Sequence, residues 1–243
     1  MVAIAKASAR VVPLGRSHHR IEDRKRWVLA RSPLFARLDV HTRSRVATAA
    51  HLVFVEPRRP LCSPDDTGLY VVGSGRLRRM RTTADRELTF GYIEVGDVVG
   101  EERLADPHVT LETMTLERVE ALRIPGKTVR DLLESDACFA FEMQRLVGER
   151  RLALEERLHG LLCRSVESRV AEFVLGAAQR HGVADGRGVL VSVKFTHQEI
   201  ANFVGATRET VTVVIGALKR AGLIDTDRRR LVVLNELGLR ARI

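Results

Sequence analysis

The chain is poor in cysteine and has neither a long apolar run nor an obvious leader segment. Its three cysteines, Cys62, Cys138 and Cys163, have no C-x-x-C spacing, which indicates neither a zinc site nor a disulfide framework. Free thiols are typical of a reducing compartment, so we expect a cytoplasmic protein. No apolar run approaches the roughly 18 residues that span a membrane, and the N-terminus lacks an apolar segment with a cleavage site. We therefore expect neither membrane insertion nor secretion.

Signatures of the common enzyme classes are missing as well. The sequence contains no G-x-S-x-G, P-loop, H-E-x-x-H or paired-cysteine motif. It contains no internal repeat and no low-complexity block either. We expect a protein that is not an enzyme and that carries no cofactor or metal.

The chain is rich in apolar residues and in positive charge. Hydrophobic residues make up 45% and charged residues 29%, a balance that allows a folded core under a hydrated surface. Lysine and arginine number 40 against 31 aspartates and glutamates, which gives a formal net charge of +9. Such an excess favours a polyanionic partner. The arginines are spread along the chain, so the charge supports an interface without locating it.

The most informative segment covers residues 195–224 and reads FTHQEIANFVGATRETVTVVIGALKRAGLI. Thr196 and Glu199 form a T-x-x-E capping box, which predicts the start of a helix. Gly205 can end that helix in a left-handed conformation, and Thr207 can cap a second helix. Two short helices joined around a glycine are typical of a helix-turn-helix.

The second predicted helix has competing local signals. All six residues of the run Thr210–Ile215 are β-branched, which by propensity alone favours a strand. We give more weight to the cap and to the helical spacing of the apolar residues, because tertiary context often overrides propensity. The apolar residues at this spacing are Val211, Val214, Ile215 and Leu218.

The polar side of the second helix has the side-chain types that recognise bases. Arg208, Glu209 and Thr212 lie off the apolar stripe, where arginine can pair with guanine, glutamate with cytosine, and threonine with either type of partner. The N-terminal part of the second helix is the part that contacts the major groove in a helix-turn-helix. Leu223–Ile224 and Leu231–Leu234 then predict a hairpin with three arginines in its turn, suited to phosphate contact.

The segment resembles the helix-turn-helix of the Crp-Fnr family of bacterial transcription regulators, whose motif reads T-x-x-E-I-A-x-x-[LV]-G-x-[ST]-R-E-T-V. The resemblance implies a sequence-specific regulator of double-stranded DNA that acts as a homodimer on pseudo-palindromic operators, with RNA polymerase as a partner if it activates. Where some members have a second base-reading arginine, this chain has Val213, which can touch a thymine methyl group and implies a different half-site. The predicted DNA contacts are Thr196, His197, Thr207, Arg208, Glu209, Thr212, Val213, Lys219, Arg228, Arg229 and Arg230.

The resemblance extends from about residue 27 to the end of the chain and implies an α+β fold. Short strand-like runs between residues 52 and 124 predict a barrel or sandwich, which the resemblance identifies as a cyclic-nucleotide-binding-like β-roll. Lys127–Leu162 has a helical pattern, and Gly182–Gly188 is predicted to be a loop. We predict a basic flexible tail (1–26), a β-roll sensor-like domain (27–130), a central dimerisation helix (131–162) and a winged helix-turn-helix domain (163–243).

The predicted dimerisation helix has an apolar stripe close to heptad spacing, with mixed charges beside it that suit flanking salt bridges. A long helix packed on its own domain is the alternative. The stripe residues are Ala140, Met143, Val147, Leu154, Leu158 and Leu161.

A candidate effector segment begins at Gly96 and reads G-D-V-V-G-E. In the family, such a segment and a later Arg-Ser or Arg-Thr hold a cyclic nucleotide, the arginine at the phosphate and the glutamate at the ribose. Here Val109 falls at the arginine position, and a buried phosphodiester without a cation is costly to desolvate. We therefore expect no binding of cyclic AMP, and Gly100 and Glu101 can equally form a structural turn. The candidate effector contacts are Gly100, Glu101, Val109 and Thr110.

Other effectors and functions stay open at the level of sequence. No cysteine precedes Cys62, which excludes the N-terminal iron–sulfur cluster of the oxygen-sensing members. Cys62, His51 and His108 are candidate haem ligands, and cyclic di-GMP, another anion or no ligand at all are further alternatives. A ligand-sensing module that docks to a protein partner is also open, and it predicts no salt-dependent affinity for DNA.

Overall fold

The computed structural model describes residues 10–11, 18–63, 66–83, 87–106 and 111–243. Its internal contacts divide the chain into two compact units that separate between Arg151 and Leu152, and residues 87–89 group with the second unit. The predicted α+β fold class is confirmed. The domain boundaries predicted from sequence stay predictions.

The first unit consists of two β-sheets with helices before, between and after the strands. One sheet has the strand order β1-β2-β8-β3-β6 and the other has the order β5-β4-β7. In chain order the elements are β1 (Arg10–Val11), α1 (His18–Arg31), α2 (Pro33–Ala36), α3 (Val40–Ala49), β2 (His51–Val55), β3 (Leu69–Ser74), β4 (Leu77–Thr82), β5 (Glu87–Ile93), β6 (Val98–Val99), α4 (Glu102–Ala105), β7 (Glu112–Thr115), β8 (Val119–Ile124), α5 (Gly126–Ser135) and α6 (Ala137–Cys163), which continues into the second unit.

Strand β3 is buried on both faces, which explains its nearly continuous apolar sequence. Leu69 and Val71 belong to a core that the helices share, and this core also contains Phe139 of α6. Tyr70 and Val72 point the other way, into a second core built from strand residues. The alternation fixes the register of the sheet, because a slip of one residue would exchange the two faces.

The predicted flexible tail is wrong over residues 18–26, where the chain forms the first part of α1. The helix is held by Arg24, whose Nε donates to Glu120 Oε1 at 2.7 Å, and by the complete burial of Val28 and Leu29. The guanidinium groups of Arg24 and Arg31 both stack on the Trp27 ring. The contact with Glu120 joins residues 96 positions apart, so no local pattern signalled it.

The helical stretch predicted over Lys127–Leu162 is two helices, because the chain turns at Asp136 with φ −125° and ψ 99°. The Asp136 carboxylate accepts from the Phe139 N–H at 3.0 Å and from the Thr42 hydroxyl at 2.9 Å. Asp136 therefore caps the start of α6 and ties that start to α3.

The second unit begins in the C-terminal part of α6 and contains a four-stranded sheet with the order β11-β12-β10-β9. Its further elements are α7 (Val166–His181), β9 (Gly182–Asp185), β10 (Gly188–Lys194), α8 (His197–Val204), α9 (Arg208–Arg220), β11 (Ile224–Asp227), β12 (Arg230–Val233) and α10 (Glu236–Arg240).

The predicted loop Gly182–Gly188 is wrong, because most of it forms β9 and pairs antiparallel with β10. Asp185 and Gly188 are register partners, and the Asp185 carboxylate accepts from the backbone N–H of Arg187 at 3.1 Å. Asp185, Gly186 and Gly188, which favoured a loop, thus lie at the turn of a hairpin, whereas Gly182 begins β9.

Candidate nucleic-acid interface

Both caps of the helix-turn-helix have the geometry that the sequence predicts. The Thr196 hydroxyl accepts from Glu199 N at 3.1 Å, and the Glu199 carboxylate accepts from Thr196 N at 2.7 Å, which completes the capping box. Gly205 has φ 68° and ends α8 in the left-handed conformation. Thr207 accepts from Thr210 N at 3.1 Å and starts α9.

The β-branched run in α9 is helical because its apolar members are buried. Val211 is fully buried and Ile215 is 3% exposed, and α7 contacts both α8 and α9. Phe173 of α7 anchors this core through edge contacts with Phe195 and Phe203, each with ring centroids 5.1 Å apart. Burial against α7 therefore outweighs the intrinsic preference of this run for a strand.

The opposite face of α9 is open to solvent and carries the predicted base-reading residues. Arg208, Glu209 and Thr212 are exposed, and Val213 keeps 68% of its surface accessible although it is apolar. An exposed valine at this position can contact the methyl group of a thymine. The first turns of α9 thus present a cation, an anion, a hydroxyl and an apolar group side by side.

The hairpin that follows α9 places two of its three arginines in the turn. Arg228 and Arg229 are exposed and have positive φ angles of 46° and 68°. Arg230 is the first residue of β12 and pairs with Asp227 across the turn. The two exposed guanidinium groups are suited to contact phosphates, which adds affinity without base information.

Some of the predicted DNA contacts already form hydrogen bonds or ion pairs within the protein. Lys219 Nζ lies 3.1 Å from Asp225 Oδ1 and 2.8 Å from Thr226 Oγ1, so it joins α9 to β11. The backbone N–H of Thr226 and the Lys219 ammonium both lower the pKa of Asp225. The hydroxyls of Thr196 and Thr207 serve as helix caps. A phosphate that contacts Lys219 would have to share it with these partners.

In the first unit, Glu101 is the centre of a buried ion cluster. Its side chain is 7% exposed, its Oε1 lies 3.1 Å from Arg79 Nη2, and it also pairs with Arg150. Arg79 Nη2 also lies 3.4 Å from Glu102 Oε2. Burial acts to raise the pKa of Glu101, but the two guanidinium groups outweigh it, so this pKa lies below its ordinary value. Arg79 and Arg150 belong to β4 and α6, and no local spacing in the sequence links them to Glu101.

Gly100 has a structural reason to be glycine. Its φ is +102°, and a Cβ at this position would lie 2.5 Å from the carbonyl oxygen of Gly68. This crowding favours the structural role that the sequence left open. Val109 and Thr110, the other candidate effector contacts, lie outside the described residues.

Each of the two units matches a model of a known protein family. The family model for the Crp-like helix-turn-helix domain matches residues 168–242, and the model for the cyclic nucleotide-binding domain matches residues 52–136. The chain belongs to the Crp-Fnr family. It is therefore a DNA-binding transcription regulator, and its relatives are regulators rather than enzymes.

Two relatives align with most of the chain. The CRP-like cAMP-activated global transcriptional regulator of Mycobacterium tuberculosis is 29% identical over 196 residues, which are 79% of this chain and 85% of that protein. The anaerobic regulatory protein of Bacillus subtilis is 25% identical over 175 residues, which are 71% and 74% of the two chains. The names of these relatives refer to different signals, so membership of the family does not identify an effector.

A solved structure shows the same fold. The c-di-GMP responsive global regulator CLP of Xanthomonas campestris aligns with a TM-score of 0.70 and 22% identity, covering 80% of this chain and 99% of that one. None of the helices in the part of the chain that the structure describes has the length and apolar character to cross a bilayer.

The candidate haem ligands can be located in part. Cys62 is half-buried, and burial raises the pKa of its thiol to about 12, so it carries a proton at neutral pH. His51 is exposed at the start of β2, and His108 lies outside the described residues. Among the described residues, no three histidine, cysteine, aspartate or glutamate side chains form a metal-binding group.

The Glu101 cluster should make a measurable contribution to the stability of the first unit. We expect Glu101→Gln to lower the free energy of unfolding by about 2 kcal/mol, because two half-buried arginines lose a buried, charged acceptor. The contribution should be fully present above pH 4.5, the ordinary pKa, and be lost as the pH falls through the lowered pKa.

Denaturant unfolding followed at several pH values measures this effect. Glu149→Gln is the matched control, because Glu149 is 58% exposed in its pair with Arg145 and should change stability by less than about 0.5 kcal/mol. Equal effects of the two substitutions would contradict a stabilising role for the buried cluster.

Proposed function

We propose that this protein binds pseudo-palindromic operators as a homodimer, with sequence specificity from α9 and without cyclic AMP as its effector. The observation that carries the proposal is the exposed N-terminal part of α9, where Arg208, Glu209 and Val213 point away from a helix core that is otherwise complete. A helix of this kind is positioned by its buried stripe and reads bases with its exposed face.

The dimer interface would be the exposed apolar stripe that runs along α6 from Val147 to Leu158. Val147, Leu154 and Leu158 are 49%, 50% and 56% exposed, although leucine and valine are normally buried. They are spaced by seven and four residues, as in the seam of a coiled coil. Two residues of the predicted stripe pack inside the protomer instead. Met143 belongs to the core of the first unit. Leu161 packs against Gly205, where a Cβ would lie 2.9 Å from Leu161 Cδ2.

Absence of cyclic AMP as an effector is supported by the charges around Glu101. The arginines at this carboxylate, Arg79 and Arg150, are matched by Glu101 and Glu102, so the cluster offers no excess positive charge to a phosphodiester. Arg103, the nearest other cation in sequence, donates to the Ser63 carbonyl at 2.7 Å. A bound phosphate would have to displace a carboxylate from its arginine.

Calorimetric titration with cyclic AMP should therefore give no binding heat at micromolar protein. The operator affinity should be the same with and without the nucleotide, because the cluster is already neutral without it. Binding in the micromolar range, or a tighter operator complex in its presence, would contradict this part of the proposal and leave the DNA-binding part unchanged.

The DNA-binding part is tested by selecting bound sequences from a pool of randomised duplexes. We expect an inverted repeat whose half-sites lie about one helical turn apart, because two symmetry-related copies of α9 must enter successive major grooves. The affinity should fall with salt, since Arg228 and Arg229 would displace counterions from phosphates. A pool without enrichment would contradict sequence-specific binding, and enrichment of single half-sites would contradict the dimer. If the regulator activates transcription, RNA polymerase is its expected partner.

A further inference from the structure

The hydroxyl of Thr212 is held from two sides. It donates to the carbonyl oxygen of Arg208, one turn earlier in α9, at 2.9 Å. The same oxygen lies 2.8 Å from Nδ1 of His197, the first residue of α8. This pair therefore connects the first residue of one helix of the helix-turn-helix to the exposed face of the other.

The proton of the hydroxyl determines the direction of the second bond. A threonine hydroxyl has one proton and two acceptor lone pairs. Because the proton is directed at the Arg208 carbonyl, both contacts are hydrogen bonds only if His197 Nδ1 carries a proton and donates it to Thr212. His197 is then either the Nδ1–H tautomer or the imidazolium cation.

The contact with His197 also selects the side-chain conformation of Thr212. Threonine in a helix divides between two χ1 rotamers, because its hydroxyl can bond a carbonyl in the preceding turn. In the rotamer found here, the hydroxyl oxygen forms a second hydrogen bond, to the imidazole of His197, and this bond holds the oxygen in place. One lone pair is the remaining hydrogen-bonding capacity of this exposed hydroxyl, so Thr212 can accept from a ligand but can donate only by breaking the bond to Arg208.

We propose that His197 is a positioning residue that makes Thr212 a hydrogen-bond acceptor toward the base edges, so that one position of each half-site is read as an exocyclic amine. In the major groove the exocyclic amines are adenine N6 and cytosine N4, whereas guanine and thymine present acceptors that such a hydroxyl cannot satisfy. The inference rests on the proposed function, because it requires α9 to lie in the groove. Beyond the proposed function, the inference states which bases Thr212 selects, namely adenine or cytosine, and that His197 is the residue responsible for this selection.

Selection from duplexes randomised in the half-site tests the proposal with the full-length protein and four variants. At one half-site position the wild-type protein should favour adenine or cytosine by about five-fold, the value of one net hydrogen bond. Thr212→Val keeps the shape without the hydroxyl and should lose the preference at that position. Thr212→Ser keeps the hydroxyl and should retain a part of it.

Two variants of His197 separate positioning from a merely structural role. His197→Phe keeps a ring but has no donor, so the preference should fall below about two-fold, since Thr212 can then turn to its other rotamer. His197→Asn has an amide N–H at the same branch of the side chain as Nδ1 and should restore the preference. Thermal unfolding of each variant identifies any that fail to fold. A uniform loss of affinity in His197→Phe, with an unchanged base profile, would overturn the proposal.

A measurement without DNA tests the same contact. Nitrogen-15 NMR of the histidine rings, with the His197 signal assigned by its loss in His197→Phe, should show a proton on Nδ1 at neutral pH. A neutral ring with its proton on Nε2 would overturn the arrangement. If the wild-type protein enriches no sequence although Nδ1 carries a proton, the proposed function fails while the contact stands, so the two failures are distinguishable.

Discussion

Replacing Arg208 by alanine should weaken specific operator binding by about 1–3 kcal/mol at each half-site, and by about 2–6 kcal/mol for a dimer that uses both copies. The guanidinium group is exposed in the first turn of α9, the part of the second helix that contacts bases in a helix-turn-helix, and arginine pairs bidentately with guanine. Glu209→Ala should cost a similar amount if its carboxylate accepts from a cytosine amine. Each substitution should relax the preference at its own position of the half-site.

Arg220→Ala is the matched control for Arg208→Ala. Arg220 is an exposed arginine at the last position of the same helix, about 18 Å from Arg208 at a rise of 1.5 Å per residue. Both substitutions remove one positive charge, so both lower the salt-dependent affinity for any duplex. Only Arg208→Ala should change the selected sequence. An unchanged base profile in both Arg208→Ala and Glu209→Ala would show that α9 is not the recognition helix.

Leu158→Glu should convert the protein to a monomer at concentrations where the wild-type chain is a dimer. The dimer interface would lose two leucine side chains, one from each protomer, and the burial of each contributes about 1.5–3 kcal/mol. It would also gain two carboxylates that lie close together. The dissociation constant of the dimer should rise by about 10²–10⁴-fold from the lost burial alone. Sedimentation measures the mass of the particle. A monomer should also bind the operator more weakly than the dimer, because its single copy of α9 contacts only one half-site.

Leu152→Glu distinguishes a seam from a generally apolar helix. Leu152 is 66% exposed, more than Leu158, but it lies about 120° around the helix from Leu158 at 100° per residue. The substitution adds the same charge to the same helix and should leave the dimer intact. If both variants are monomers, or if both remain dimers, the stripe through Leu154 and Leu158 is not the interface.

The parts of the fold that sequence predicts well are those whose causes are local. The capping box at Thr196, the left-handed Gly205 and the cap at Thr207 each involve residues within three or four positions, and all three have the predicted geometry. The strands between residues 51 and 124 are also found close to where their alternation and turn residues place them.

The parts that sequence misses depend on contacts between distant residues. Helix α1 depends on Arg24 reaching Glu120, 96 residues away. The ion cluster joins Glu101 to Arg79 and Arg150 from other elements, and one arginine is locally indistinguishable from the many others in the chain. The contact between His197 and Thr212 spans 15 residues and exists only because α8 and α9 cross.

The backbone conformation of the turn between β11 and β12 affects both the stability of the protein and its proposed affinity for DNA. Arg228 and Arg229 both have positive φ angles, which matches a two-residue turn that normally selects asparagine and glycine. Non-glycine residues pay about 1–2 kcal/mol each for that conformation. An Asn-Gly turn here should therefore raise the stability of the native state. If the hairpin contacts phosphates as proposed, the same change should weaken operator binding, because it removes two cations.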